Sequence, residues 1–179
     1  MKKCFPLLLV LVVFLLSCKK ESFITGPEAL LRTSEDTLRF DTVFTSVGST
    51  TQFFKIYNNN NQKLRITRVQ LKGGLTSYFR MNVDGFSGTD ITDLEMEPND
   101  SLYVFVTVKI NPSAADLPFV VQDSILIAYN GNEHKVQLEA WGQNARFFRY
   151  RSITADETWD NQKPYVILGG LQVAPGVTL

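Results

Sequence analysis

From Ser34 onward the chain alternates apolar and polar positions with a period of two, the pattern of strands that bury one face and wet the other. Leu38, Phe40 and Phe44 fall on one face of a first strand, and Thr37, Arg39 and Asp41 on the other. In a second strand Phe54 and Ile56 point inward between Gln52 and Lys55, and Asn58 to Asn61, four residues tolerant of left-handed backbone, read as a turn. Leu64 and Ile66 share one parity while Val69 and Leu71 share the other, which a bulge near Thr67 or a strand break explains. Phe79 to Val83 and Ile91 to Met96 are shorter strands. The most regular alternation follows the turn Pro98-Asn99-Asp100: Leu102, Val104, Val106, Val108 and Ile110 face one way, Tyr103, Phe105, Thr107 and Lys109 the other, until Asn111-Pro112 ends the run. Ser124 to Tyr129 and His134 to Trp141 form a last pair around Asn130-Gly131, whose residues both accept the positive φ of a tight hairpin.

Seven or eight short strands separated by turn signals, in roughly 110 residues and with no long helical period, predict an all-β chain folded as an antiparallel β-sandwich. Thirteen Phe and six Tyr, with many Val, Ile and Thr, suit pleated surfaces better than helices. Ahead of this region, Lys19 to Thr33 is mixed in polarity, contains Gly26-Pro27 and holds no period, so it reads as a tether in which Glu28 to Arg32 form one helical turn.

The N-terminus follows a different plan. Met1-Lys2-Lys3 is positively charged, Phe5 to Leu16 is an almost unbroken apolar run of 12 residues, and Ser17 is small, the three parts of a secretory signal. The run is well short of the ~20 apolar residues of a spanning helix. Leu15-Leu16-Ser17-Cys18 resembles the lipobox of bacterial lipoprotein precursors. That resemblance implies cleavage before Cys18, with lipid on its thiol and on the new amine; several acyl chains on one residue anchor stably where one holds marginally. Lys19 stands where, in such lipoproteins, an Asp retains the product in the inner membrane, and so points to the outer membrane. Cys4 leaves with the signal and Cys18 is consumed by lipid, which excludes an intrachain disulfide, a thiolate metal site and a cysteine nucleophile. Loss of Lys2 and Lys3 leaves 16 basic against 18 acidic residues, a side-chain balance of −2 with no basic stripe of the kind nucleic acid requires.

The sandwich region also resembles the immunoglobulin-like modules of the abnormal-spindle and Hydin type. The residues that carry this are Leu38-Arg39-Phe40, Lys55-Ile56-Tyr57-Asn58, Leu64-Arg65-Ile66, Glu97-Pro98-Asn99-Asp100-Ser101, the run from Val106 to Pro112, Asp123 to Ile127, and Val136 to Gly142. These motifs are structural and imply a fold rather than an activity. Beyond them, Tyr165-Val166-Ile167, Gly169-Gly170, Leu171-Gln172-Val173 and Ala174-Pro175-Gly176 alternate short strands with tight turns, and resemble the first rung of a right-handed parallel β-helix. One rung cannot bury its own apolar face, so the apolar end at Leu179 implies the front part of a longer protein.

Candidate chemistry is sparse. His134 is the only histidine, and no Gly-x-Ser-x-Gly elbow supplies a nucleophile. Asp84, Asp90 and Asp93 with Gly85 and Gly88 offer oxygens to Ca²⁺ without EF-hand spacing and read as acidic turns, and Asp156, Glu157 and Asp160 around Trp159 read as a solvated linker. No cofactor or metal motif occurs. The aromatics are more informative. Tyr103 and Phe105 point away from the core, as does Trp141 beside Lys135, Gln137 and Glu139; exposed rings of this kind stack on sugars or anchor a protein partner. For Trp141 the expectation is cover by Phe147 and Phe148 at the junction with the tail.

The expected organisation is a signal peptide (1–17), a lipidated tether (18–33), an immunoglobulin-like sandwich (34–144), and a linker with an incomplete β-helix-like segment (145–179). The expected function is that of a non-enzymatic protein of the cell envelope, held by lipid on Cys18, with the sandwich as spacer or as a module for a protein or glycan partner. The alternatives are the mounting domain of a longer carbohydrate-active β-helix enzyme, and a structural adhesin stalk.

Overall fold

The computed structural model describes residues 22–111 and 119–179. Twelve strands appear among them: β1 (Leu31–Thr33), β2 (Thr37–Phe44), β3 (Gln52–Asn58), β4 (Leu64–Leu71), β5 (Phe79–Val83), β6 (Phe86–Gly88), β7 (Asp90–Met96), β8 (Ser101–Val108), β9 (Phe119–Tyr129), β10 (Asn132–Gln143), β11 (Arg146–Ile153) and β12 (Tyr165–Val173). A sheet ordered β1-β3-β8-β5-β6 packs on a second ordered β2-β10-β9-β4-β7, giving an immunoglobulin-like β-sandwich, and β11 and β12 form a separate two-stranded sheet. Among the described residues no helix is long and apolar enough to cross a membrane.

Alternation dictates the core. Phe54 and Ile56 from β3, and Val104 and Val106 from β8, are fully buried, and the inward set continues through Val108 and Ile110. Phe40 of one sheet meets Phe79 of the other with ring centroids 5.8 Å apart. Each such side chain contributes about 1.5–3 kcal/mol by leaving water. The bulge falls where the change of parity places it: the β4–β9 register shifts between Ile66 and Arg68, so Thr67 is the extra residue and Leu64, Ile66, Val69 and Leu71 all reach the core. Asn130 and Gly131 turn the β9–β10 hairpin at φ of 44° and 79°.

The expected antiparallel sandwich is the fold observed, and two expectations within it are corrected. Phe44 is not on the core face, because Asp41 is bulged out of the β2–β10 register between Phe40 and Thr42 and passes the inward position to Val43. That pairing is the one parallel exception among the described strand pairings of the two sheets, since the chain leaves β1 in one sheet and crosses at Ser34–Asp36 into the other. The segment read as a tether with a helical turn is, over its described part, a piece of the sandwich. Ile24 donates its N–H to the Lys63 carbonyl, Ala29 and Leu31 are buried with Leu30 exposed between them, and Leu31–Thr33 pairs with β3. The two-residue spacing of Ala29 and Leu31 is a strand period too short to stand out from a mixed segment.

Candidate functional site

Cys18 lies outside the described residues. Of the aromatic candidates, Tyr103 and Phe105 project from the solvent face of β8, and Trp141 from the solvent face of β10 in the other sheet, so the structure places them on opposite sides of the sandwich. Trp141 is not covered as expected: it stays 39% exposed, and Phe148 turns instead to Trp159 and Tyr165, with ring centroids at 5.1 and 6.0 Å.

Tyr103 and Phe105 gain a third ring. The β3–β8 register sets Phe53 opposite Phe105 and Lys55 opposite Tyr103. Phe53 is 51% exposed, with its centroid 5.5 Å from Tyr103 and 6.1 Å from Phe105, while the Tyr103 and Phe105 planes lie within 8° of each other at 5.6 Å. The Lys55 ammonium sits 4.4 Å from the centre of the Tyr103 ring. The hydrogen bond with Tyr103 is the main reason the Lys55 amine is held above its ordinary pKa, against a smaller opposing effect of desolvation. The outward parity of Phe53 follows from Phe54 and Ile56 pointing in; its meeting with Phe105 needed the strand register.

The cluster borders a groove of about 620 Å³ whose lining includes Phe105, Thr51, Arg80, Asn82, Ser87 and Thr107. Phe53, Phe105, Asn82 and Ser87 stand in one row across four strands. Asn82 is fixed within the row, its Nδ2 donating to Ser87 Oγ at 2.8 Å and its Oδ1 accepting the Gly85 N–H at 2.9 Å. Arg80 Nη1 donates to the Ser77 and Phe79 carbonyls at 2.5 and 2.7 Å, which orients the guanidinium. At one end of the groove the 3₁₀ turn Gly74–Thr76 holds out Leu75, 85% exposed, on a loop that the Asp123 carboxylate ties down through the Gly73 N–H and the Ser77 hydroxyl.

The remaining candidates make contacts within the fold. His134 Nε2 meets the Thr33 hydroxyl at 2.9 Å and lies 3.9 Å from Asp36, tying the crossover segment to β10. Asp84, Asp90 and Asp93 do not gather at one point: Asp84 and Asp93 border an opening between the β5–β6 turn and β7, whereas Asp90 receives both Nε and Nη2 of Arg68, at 2.7 and 2.5 Å. That hydrogen bonding is the main reason the Asp90 carboxyl is held below the usual range. Among the described residues no group of three His, Cys, Asp or Glu side chains forms a metal site. The acidic patch around Trp159 is not a free linker. Asp160 pairs with Arg146 at 2.7 Å and Glu157 with Arg151 at 2.9 Å, pinning the loop over a stack in which Trp159 lies 4.2 Å from Tyr165. In that tail, β11 and β12 run parallel with Arg146 opposite Tyr165, and Gly169 at φ 89° packs against the Tyr150 ring beside the register shift.

No protein-family profile matches this sequence, and no curated protein matches it. Solved structures with a similar course include a protein of unknown function from Porphyromonas gingivalis W83, with 14% identity over 69% of this chain and 49% of that one and a TM-score of 0.46. A family 123 glycoside hydrolase from Clostridium perfringens is similar at 10% identity over 65% of this chain and 26% of that one, with a TM-score of 0.44. The ASH / PapD-like domain 7 of human CEP192 is similar at 10% identity over 68% of this chain and 89% of the domain, with a TM-score of 0.40. The chain thus spans half or less of the two bacterial proteins. At these values the likeness is one of fold class, which strand pairing already defines, and extends to no activity.

Proposed function

We propose that this chain is a non-enzymatic, lipid-anchored protein of the cell envelope, carried to the outer membrane on acylated Cys18, whose sandwich engages an envelope protein or glycan through the outer face of the β1-β3-β8-β5-β6 sheet. The observation that carries the recognition role is the cluster of Phe53, Tyr103 and Phe105, three neighbouring rings kept in solvent on a face that contributes nothing to the core. Adjacent exposed aromatics of this sort are the anchors of recognition surfaces. The lipobox-like Leu15-Leu16-Ser17-Cys18 supports the anchor. Support for a non-enzymatic role comes from His134, whose neighbours Thr33 and Asp36 belong to a crossover rather than to a cleft.

Two measurements test this reading. Intact mass of the membrane-extracted protein beside Cys18→Ala should show a lipid-sized increment on a chain beginning at Cys18, absent from the variant; an unmodified mature chain in the soluble fraction rejects the anchor. Binding of the purified protein to isolated envelopes should saturate and fall on Phe53→Ser with Phe105→Ser. Unchanged binding in the folded double variant rejects the aromatic face.

A second reading, the mounting domain of a longer carbohydrate-active β-helix enzyme, is favoured by the tail. Parallel strands with partners 19 residues apart, Arg146 and Tyr165, have the connectivity of a β-helix rung. Further rungs with acids and bases gathered on one face downstream of β12 would favour it.

A further inference from the structure

The two outer faces of the sandwich handle charge in opposite ways. On the β2-β10-β9-β4-β7 sheet, cations are matched across strands: Arg39 with Glu139, Arg65 with Glu95 and Arg68 with Asp90. On the other sheet the outward positions of β1, β3, β8, β5 and β6 carry Arg32, Lys55 and Arg80 and no carboxylate. Asp84 follows β5 in the turn to β6 at φ 47° and lines a different opening, between that turn and β7. A sheet face with positive charge and no carboxylate on its outward positions raises the local concentration of anions.

The same face is chemically mixed in a particular way. Phe53 and Phe105 offer apolar ring surface, and the groove beginning at Phe105 is lined by the hydroxyls of Thr51, Ser87 and Thr107. Asn82, held from both ends, occupies the acceptor of Ser87 and leaves the Ser87 hydroxyl proton to donate. Arg80 has its Nη1 engaged by backbone carbonyls, which orients the rest of a planar fork suited to a carboxylate. In the middle of this surface β8 and β5 are flanked on both sides by hydrogen-bonded neighbours and cannot accept an added strand, and only the three-residue β6 at the rim of the groove is an edge. A ligand here must therefore bring apolar C–H faces, many hydroxyls and negative charge together, at a size suited to about 620 Å³.

We propose that the groove between Phe105 and Ser87, with the adjoining Phe53–Tyr103 cluster, binds an acidic saccharide: a chain of uronic acid units whose carboxylates pair with Arg80 and Lys55 and whose ring faces lie on Phe53 and Phe105. The inference rests on the reading of this sheet as the recognition face and names the class of its ligand.

The test is calorimetric titration of the full chain in detergent with a galacturonate hexamer, the same hexamer with its carboxyls reduced to alcohols, and inorganic polyphosphate. The expected result is saturable binding of the uronate that weakens with added salt. It should drop about tenfold or more on carboxyl reduction and on combined Lys55→Gln and Arg80→Gln, as loss of charge-assisted hydrogen bonds requires. Circular dichroism and thermal unfolding establish that the variant is folded, and Arg39→Gln, on the opposite face, serves as a charge control with unchanged binding. Equal binding of the reduced hexamer, equal binding of polyphosphate, no binding of the uronate, or insensitivity to the Lys55/Arg80 change each overturns the proposal. If envelope binding still depends on Phe53 and Phe105 while the uronate fails, only the ligand class is wrong. If envelope binding ignores those rings, the recognition face itself is wrong.

Discussion

Asn60 holds the backbone of Leu30 from both sides: its Oδ1 accepts the Leu30 N–H at 2.9 Å and its Nδ2 donates to the Leu30 carbonyl at 2.8 Å. The same Nδ2 reaches Asn58 Oδ1 at 2.7 Å, and Asn58, fully buried, donates to the Glu97 carbonyl at 2.8 Å. Two asparagines thus join the N-terminal segment, the β3–β4 turn and the β7–β8 turn. Their presence in a turn is readable from sequence, but their service as one buried polar network is not.

Asn60→Ala removes the acceptor of the Leu30 N–H and leaves its carbonyl only the longer bond from the Asn59 N–H at 3.4 Å, and should cost about 1 kcal/mol, the loss of part-buried hydrogen bonds. Urea unfolding would show this as a lower midpoint at unchanged slope, together with faster proteolysis ahead of β1. A loss under ~0.5 kcal/mol would mean that water replaces the asparagine.

Deleting Thr67 should prevent folding, whereas Thr67→Ala should be nearly silent. The deletion removes the bulge, so the parity on one side of it must reverse and turn either Leu64 and Ile66 or Val69 and Leu71 outward, at roughly 1.5–3 kcal/mol each. The alanine keeps the residue count at an exposed position. Thermal unfolding by far-ultraviolet circular dichroism separates the two variants; a cooperative transition in the deletion would refute the assignment.

Gly142 is constrained by a neighbour rather than by backbone conformation. A Cβ there would lie 2.7 Å from the Phe119 ring and 3.1 Å from Ile110 Cδ1. Gly142→Ala should therefore destabilise by about 1 kcal/mol, and Phe119→Leu in the same chain should relieve part of that strain. Additive losses in a double-mutant cycle would contradict the contact.

The Arg68–Asp90 pair sets an acid dependence. Asp90 has its pKa lowered in the fold, chiefly by hydrogen bonds from Arg68, so its contribution is complete above the unfolded value of about 3.9 and disappears as pH falls through the lower native value. Asp90→Asn should melt below the wild type at pH 7, and the two curves should converge as the pH drops under about 3.9. A gap that persists at pH 2 would assign the effect to something other than ionisation.

Because Trp141 and Phe105 occupy opposite faces, Trp141→Ser should leave envelope binding unchanged while Phe105→Ser reduces it several-fold, the expected loss of one anchor ring. Equal losses would place the partner across the rim of the sandwich, and a loss from Trp141→Ser alone would move the recognition face to the other sheet.

The legible features share a cause. Alternation in β3 and β8, the change of parity in β4 and the Asn130-Gly131 turn all arise within about ten residues, from the pleat that sends successive side chains to opposite faces and from the rarity of residues that accept positive φ. The outward aspect of Tyr103 and Phe105 belongs to the same local rule, and it located two of the three rings of the aromatic cluster.

What required tertiary structure was every relation between strands. Only the register shows that Phe53 lies beside Phe105, that Arg80 and Thr107 share a groove wall, and that Trp141 belongs to another face. Only the crossover at Ser34–Asp36 makes β2 run parallel to β10, and only the pairing of β1 along β3 turns Ala29 and Leu31 from linker into core. The sequence by itself determined which positions are wet and which are dry along each strand, because that depends on backbone geometry and side-chain hydration. Neighbours across a sheet are chosen by the burial and hydrogen bonding of the whole chain at once, so the candidate site, made from strands far apart in sequence, came into view only with the fold.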